Sequence, residues 1–192
     1  MSRTPTPTAS RIGQLAKMPL FFALDGRKVL IAGDSDGALW KAELFSAAGA
    51  AVLVCAGAVA DQQRWTDLIA NPANGVITLF TRDWQDGDFA DCAVAIADLG
   101  AEQGALFAKA ARAARVPVNV VDQPSLCDFQ IGTIINRSPV VIGISTDGAA
   151  PMLGQSLRSR IEAVLPAGLA AWARAAQAWR SKLRDYFHDF AD

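Results

Sequence analysis

The segment Val29-Leu30-Ile31-Ala32-Gly33-Asp34-Ser35-Asp36-Gly37-Ala38 is the strongest indication of a fold class in this 192-residue chain. Its apolar start predicts a buried strand, and the residues after it have helical spacing. A glycine turn between a first strand and a first helix is where open α/β folds hold a dinucleotide pyrophosphate. Gly33 and Ala38 match the first and third positions of the G-x-G-x-x-G/A fingerprint, whereas Ser35 stands at the second. The turn therefore predicts a dinucleotide site of altered sequence.

Strand and helix patterns alternate on both sides of this turn. The first predicted strand is Lys28–Ala32, and four further apolar runs follow at residues 51–56, 75–81, 92–97 and 116–121. Helices are expected directly after the turn and over residues 105–115. This alternation predicts an α/β protein with a parallel, doubly wound, Rossmann-like sheet.

The pattern changes after residue 122. Residues 129–135 and 140–145 predict an antiparallel hairpin, joined by the turn Asn136-Arg137-Ser138-Pro139. A two-stranded hairpin is marginal alone, so we expect it to pair with another element or with a second subunit. Helical patterns begin at Pro151 and again after Leu165.

Composition and charge exclude several classes of protein. Hydrophobic residues make up 52% of the chain and charged residues 19%, which is typical of a globular core rather than of disorder. A net charge of −1 gives no indication of nucleic-acid binding. The apolar stretch 18–24 is too short to span a membrane. The widely spaced Cys55, Cys92 and Cys127 predict a reducing cytoplasm and no thiolate metal site.

Asp122 is the main candidate for catalysis. It ends the predicted strand 116–121, and carboxyl ends of strands face the ligand crevice in open α/β sheets. An aspartate there acts as a general base or caps a turn, and the sequence leaves both readings open. Asp128 would perturb its pKa if the intervening loop brought the two carboxylates together. The one histidine, His188, excludes a His triad and a multi-histidine metal site.

The second predicted strand lacks one expected feature of a dinucleotide site. It ends in Cys55-Ala56-Gly57, without the acid that usually binds the adenosine ribose. Small residues at Gly57 and Ala58 would still let a cofactor lie against the backbone. Arg64 is the nearest cation, and the sequence does not place it against a 2′-phosphate.

Four stretches of the chain, in order, resemble the precorrin-2 dehydrogenase family, the NAD-dependent module of siroheme synthase. They are residues 18–33, 41–50, Val118-Asn119-Val120-Val121-Asp122, and residues 134–151, which include Ile134-Ile135-Asn136-Arg137-Ser138-Pro139-Val140. The resemblance covers about residues 18–165. It implies a Rossmann-like NAD-binding domain over 18–122, a dimerisation segment with the hairpin over 123–150, and C-terminal helices over 151–192. Residues 1–17, which are rich in Ser, Thr and Pro, predict a disordered lead-in.

The resemblance implies NAD-dependent dehydrogenation of precorrin-2 to sirohydrochlorin by a homodimer, with this tetrapyrrole as the substrate. The protein is expected in the cytoplasm, and neither nucleic acid nor a membrane is expected as a partner. Some members of the family are also sirohydrochlorin ferrochelatases, and no resident metal is implied. Asp122 takes the catalytic acid/base role. Expected cofactor contacts are Gly33, Ser35, Asp36, Gly37, Ala38, Gly57 and Ala58, and expected substrate contacts are Asn119 and Thr146.

Departures from the family pattern leave two alternatives open. Ser35 adds a side chain where the pyrophosphate is expected to pass, and Asp34 adds negative charge. The chain is therefore also compatible with a tetrapyrrole-binding or regulatory homologue that has lost NAD binding, or with a chelatase without redox activity. The sequence does not separate NAD from NADP. Because the chain ends at Asp192 without a methyltransferase region, the fused siroheme synthase is not expected.

Overall fold

The computed structural model describes residues 13–57, 62–148 and 150–187. It divides into two compact units, one formed by Phe21–Gln130 and the other by the described residues before and after that range. The parallel sheet lies in the first unit and the hairpin with the C-terminal helices in the second. No helix in the described ranges is long and apolar enough to cross a membrane.

The first unit contains a five-stranded parallel sheet. Its strands are β1 Lys28–Ala32, β2 Ala51–Cys55, β3 Val76–Phe80, β4 Cys92–Ala97 and β5 Val118–Val120. Their order across the sheet is β3-β2-β1-β4-β5, and each neighbouring pair is parallel. This confirms the predicted Rossmann-like architecture. The order reverses between β1 and β4, which places a crevice at the carboxyl ends of these two strands.

The last strand of this sheet is shorter than the predicted strand 116–121. Val116 donates its backbone N–H to Ala111 at 2.9 Å, so it belongs to the end of the preceding helix rather than to the sheet. Pro117 has no N–H to donate to a neighbouring strand. Val116 and Pro117, which the apolar pattern assigned to β5, therefore lie in the turn between α3 and β5.

Three helices flank this sheet, α1 Asp36–Ala47, α2 Gln62–Ala70 and α3 Ala101–Ala113. Helix α3 begins four residues before the predicted 105–115, and Gly104 lies in its first turns. A Cβ at Gly104 would lie 2.9 Å from Val120 Cγ1, so the glycine lets α3 pack directly against β5. Trp84, Phe89 and Phe107 complete this side of the core, with ring centroids 5.0 to 5.7 Å apart.

The second unit consists of a hairpin and two helices. Strands β6 Thr133–Arg137 and β7 Val140–Ile144 pair antiparallel, and helices α4 Pro151–Val164 and α5 Leu169–Phe187 follow. The predicted four-residue connection is wrong, because Arg137 pairs with Val140 and only Ser138 and Pro139 form the turn. Asn136 closes this tighter turn, since its side-chain oxygen accepts the backbone N–H of Ser138 at 2.9 Å.

Candidate functional site

A crevice of about 610 Å³ lies at the carboxyl edge of the sheet, within the first unit. This volume is in the range of small-molecule and cofactor sites. The residues that line it follow β1, β2, β3 and β4, and three of them are glycines. They are Gly33, Asp34, Cys55, Ala56, Gly57, Asp83, Trp84, Asp98, Leu99, Gly100 and Gln103.

The glycine turn forms one wall of this crevice and requires glycine at two positions. Gly33 has a φ of 130°, and a Cβ there would collide with the backbone carbonyl of Asp98. A Cβ at Gly37 would collide with the Asp98 carboxylate. Both glycines thus let the turn lie directly against Asp98, and Gly33 presents backbone rather than a side chain to the crevice beside the N-terminus of α1. This geometry fits a dinucleotide held through backbone contacts.

Ser35 has a structural task in this turn. It is the N-cap of α1, and its Oγ accepts the backbone N–H of Ala38 at 3.0 Å. Its hydroxyl also donates to the Asp98 carboxylate. The side chain that departs from the fingerprint is therefore used to cap the helix and to hold Asp98 against it.

The acidic residues of the turn are paired with side chains of helix α2. Arg64 Nη1 lies 2.5 Å from Asp36 Oδ1, and Arg64 Nη2 lies 3.3 Å from Asp34 Oδ1. The fully buried Trp65 donates its indole N–H to Asp34 Oδ1 at 2.5 Å. One guanidinium group thus faces both carboxylates, and Asp34 is the more buried of the two, whereas Asp36 is exposed. The sequence did not indicate this pairing.

Asp98 and Asp122 follow adjacent strands at the same edge. Asp98 donates its backbone N–H to Ala32 at 2.8 Å, and Val121, just before Asp122, donates to Ala97 at 2.8 Å. Asp98 is half-buried, whereas Asp122 is exposed with a φ of 58°. The exposed carboxylate of Asp122 is accessible to a large substrate.

Lys41 lies near both of these carboxylates. It is half-buried, one helical turn after Gly37 in α1. Burial lowers the pKa of its ammonium group, while the nearby charges of Asp98 and Asp122, and the Cys127 thiol, act in the opposite direction. The Lys41 ammonium group is therefore close enough to both carboxylates for their charges to raise its pKa against the effect of burial.

The loop after Asp122 does not bring Asp128 beside it, so the condition for a perturbed pKa is not met. The chain after Asp122 runs back along β5, so that Asp128 lies at the opposite end of the strand. Its Oδ2 accepts the backbone N–H of Val118 at 3.1 Å, and its Oδ1 accepts from Arg112 Nη2 at 2.9 Å. Asp128 therefore anchors the returning chain rather than contributing to the crevice.

Asn119 also has a positioning task. It is buried in β5, and its side-chain N–H donates to the backbone carbonyl of Phe129 at 2.9 Å. Thr146 belongs to the second unit, where it follows β7 and is half-buried. The substrate contacts expected of both residues stay predictions. Of the other named residues, Gly57 lines the crevice, while Ala58 and His188 lie outside the described residues.

A hydrogen-bonded group of three side chains supports the edge of the crevice at β2. Arg82 donates to both carboxylate oxygens of Asp88 at 2.8 Å, and these hydrogen bonds lower the pKa of Asp88 to about 2. Burial, followed by the Asp88 charge, raises the pKa of the Cys55 thiol to about 12. Cys55 is therefore a neutral packing residue at neutral pH.

Sequence reasoning missed three residues at this edge, Lys41, Asp83 and Asp98. The signal for Asp98 was present, because it follows the apolar run Cys92–Ala97 just as Asp122 follows β5. No local pattern indicates Lys41 or Asp83, whose positions depend on packing between segments distant in sequence.

Comparisons with known proteins agree with this architecture. The model of the family described as "Putative NAD(P)-binding" matches residues 20–133. The siroheme synthase of Psychrobacter cryohalolentis is 38% identical over 167 residues, which cover 86% of this chain and 31% of the relative. That of Pseudomonas aeruginosa strain PAO1 is 36% identical over 173 residues, covering 90% of this chain and 36% of the relative. The chain thus spans about a third of the length of these relatives.

A solved structure gives the same fold. The chain named "SirC, precorrin-2 dehydrogenase" superposes with a TM-score of 0.62 at 18% sequence identity, covering 86% of this chain and 79% of that one. At this identity the likeness concerns the fold, and the chemistry must be argued from the residues of the crevice.

Proposed function

The chain belongs to the NAD(P)-binding family whose model spans residues 20–133, and on that premise we propose that it is an NAD-dependent precorrin-2 dehydrogenase that produces sirohydrochlorin. The observation that carries the proposal is one juxtaposition. The crevice beside the glycine turn and the exposed Asp122 carboxylate both lie at the carboxyl edge of the parallel sheet, and Lys41 lies near Asp122. The named relatives, siroheme synthases, supply the substrate class.

The glycine turn and the end of β2 would hold the dinucleotide. Gly33 lines the crevice beside the N-terminus of α1, and Ser35, Asp36, Gly37 and Ala38 complete the proposed contacts of this turn. Gly57 lines the same crevice, and we keep Ala58, its neighbour in sequence, in the proposed contact set. When bound, the nicotinamide supplies the hydride acceptor that dehydrogenation requires.

Asp122 takes the remaining proton. Removing two hydrogens as a hydride and a proton needs one base besides the hydride acceptor. The Asp122 carboxylate is exposed at the end of β5, where it can meet a carbon of a large flat substrate. Lys41 compensates its charge nearby. We assign Asn119 and Thr146 to the surroundings of the substrate, with Asn119 acting through the chain segment that it holds on β5.

The assay that tests this function uses the purified protein, precorrin-2 and NAD. We expect sirohydrochlorin and reduced NAD to form in equal amounts, and no product without NAD. Calorimetric titration with NAD, with and without tetrapyrrole, accompanies the assay. Tetrapyrrole binding without NAD binding or turnover would contradict the proposal and favour a homologue that has lost the cofactor.

One observation favours that second candidate. The Asp98 carboxylate lies against Gly37 at the N-terminus of α1, in the region where an anionic pyrophosphate binds in this fold.

A chelatase without redox activity is distinguished from a dehydrogenase by an assay of Fe²⁺ insertion into sirohydrochlorin in the absence of NAD. Metal insertion there, in a protein that does not dehydrogenate precorrin-2, would support the chelatase.

We further propose that the protein is a homodimer in the cytoplasm. Large apolar side chains are exposed on the hairpin and the C-terminal helices, at Val141, Met152, Leu153, Val164, Trp172 and Trp179. Exposed apolar surface of this kind marks an interaction site. Cys55, Cys92 and Cys127 are free thiols, as in a reducing compartment. Analytical ultracentrifugation tests the dimer, and a monomer at all concentrations would contradict it.

A further inference from the structure

An acidic side chain stands at the end of β2 although the sequence of β2 supplies none. The chain after β3 continues beside the chain after β2, since Ala56 donates its N–H to Phe80 at 3.0 Å and Gly57 donates to Arg82 at 3.1 Å. This pairing brings Asp83 to the tip of β2. Its Oδ1 lies 3.1 Å from the position that a Cβ on Gly57 would occupy.

Asp83 faces the same crevice as the glycine turn. It is exposed, and it lines the crevice together with Gly33 and Gly57. In dinucleotide-binding α/β folds, the acid at the end of the second strand accepts hydrogen bonds from the adenosine ribose hydroxyls. Here the neighbouring strand's loop places a carboxylate at that location.

Two arginines that contact residues of the crevice lining are engaged with other groups. Arg82 forms its two-oxygen hydrogen bond with Asp88, lies 4.9 Å above the Phe80 ring, and donates to the backbone carbonyl of Asp83 at 2.8 Å. Arg64 pairs with the acids of the glycine turn. Among the described residues that line the crevice, none is a lysine or an arginine. A ribose 2′-phosphate would meet the Asp83 carboxylate without a cation to compensate it.

We propose that Asp83 binds the adenosine ribose hydroxyls and makes the protein selective for NAD over NADP. This inference rests on the proposed use of NAD and names the residue that selects NAD over NADP. It assigns the role to a residue outside β2, where the sequence shows no acid.

The test is the affinity of NAD and of NADP for three forms of the full chain, measured by isothermal titration calorimetry. These are the wild type, Asp83→Asn and Asp86→Asn. Asp86 is an exposed acid three residues after Asp83, and it does not line the crevice. Asp86→Asn is the matched control, because it changes the net charge by the same amount as Asp83→Asn. Thermal unfolding of each variant verifies that it is folded.

We expect the wild type to prefer NAD by on the order of tenfold or more. Asp83→Asn should weaken NAD binding roughly tenfold, strengthen NADP binding and bring the two affinities close together. Asp86→Asn should keep the wild-type preference.

Three outcomes would overturn the inference in distinguishable ways. An NAD preference that survives in Asp83→Asn would show that another group selects the cofactor, while the proposed function stands. Equal shifts in Asp83→Asn and Asp86→Asn would assign the effect to net charge. A wild type that binds neither dinucleotide would remove the proposed function, and the role of Asp83 with it.

Discussion

The ends of β4 and β5 carry the same local sequence feature and have different environments. Each strand is apolar and is followed, directly or after one residue, by an aspartate, Asp98 or Asp122. Asp98 is half-buried, bonded to Ser35 and packed against the glycine turn. Asp122 is exposed in a left-handed backbone conformation. The difference shows that a carboxylate at a strand end acquires its task from what packs against it.

Helix α1 makes this difference. Its N-terminal turn lies against Asp98, because Ser35 caps the helix and also bonds that carboxylate. We therefore assign Asp98 to the cofactor half of the site and Asp122 to the reacting half, with Lys41 near both. Substitutions that remove charge and keep shape separate the two assignments.

The largest effect is expected from Asp122→Asn. Loss of the base should lower the rate of sirohydrochlorin formation about 10²- to 10⁴-fold. The affinity for NAD, measured by calorimetry, should stay at the wild-type value because Asp122 does not line the crevice. Unchanged turnover of Asp122→Asn would show that Asp122 is not the base. It would also contradict the assignment of Asp122 to the reacting half of the site and of Asp98 to the cofactor half.

Asp98→Asn should have a smaller effect of a different kind. Asparagine keeps an oxygen that can accept the Ser35 hydroxyl, but it removes a negative charge beside the N-terminus of α1. We expect NAD to bind about three- to tenfold more tightly at low salt and the gain to shrink as salt is added. The measurement is calorimetry at two ionic strengths, with Asp122→Asn as the matched control.

Unchanged or weaker NAD binding in a folded Asp98→Asn protein would contradict this assignment. It would mean that the Asp98 charge does not face the cofactor, and that the two strand ends differ only in burial.

The smallest effect is expected at Asp88, a third carboxylate. Its substitution tests the stability of the fold rather than cofactor binding or turnover. Hydrogen bonds from Arg82 lower its pKa to about 2, from an ordinary value of 3.8. Because the folded state binds this proton less readily, the resulting stability is present above about pH 4 and is lost as the pH falls towards 2. Asp88→Asn should lower the free energy of unfolding at neutral pH and flatten its dependence between these two pH values.

Urea unfolding at a series of pH values measures this dependence for wild type, Asp88→Asn and Asp86→Asn. The Asp86→Asn protein should behave as the wild type does. If Asp88→Asn kept the full acid dependence, the Arg82–Asp88 ion pair would have no part in stability.

Much of the sheet could be predicted because its strands are continuous apolar runs. Lys28–Ala32 and Cys92–Ala97 have the predicted bounds, since the last four residues of each strand are apolar and buried. The hairpin turn was predicted too long, because periodicity does not show that the Asn136 side-chain oxygen accepts the Ser138 backbone N–H and tightens the turn.

The site was less predictable, because its charges are compensated by residues distant in sequence. The pairing of Asp34 with Trp65 and Arg64 depends on how α2 packs beside the turn. The loop that carries Asp128 returns along β5 through a bond to Val118, which no local pattern shows. Short-range patterns report burial and period, whereas these contacts depend on the path of the chain between elements.

Local patterns in the sequence specify the parallel sheet, the glycine turn after its first strand and the position of Asp122 after its last strand, because each follows from burial and backbone requirements of neighbouring residues. The hydrogen bond from Ser35 to Asp98, made by the residue that also caps α1, depends on packing between distant segments. Only the tertiary structure brings Asp83 to the tip of β2. The physical reason is that parallel neighbours are joined through crossovers, so residues that meet at the carboxyl edge are separated by whole helices in sequence.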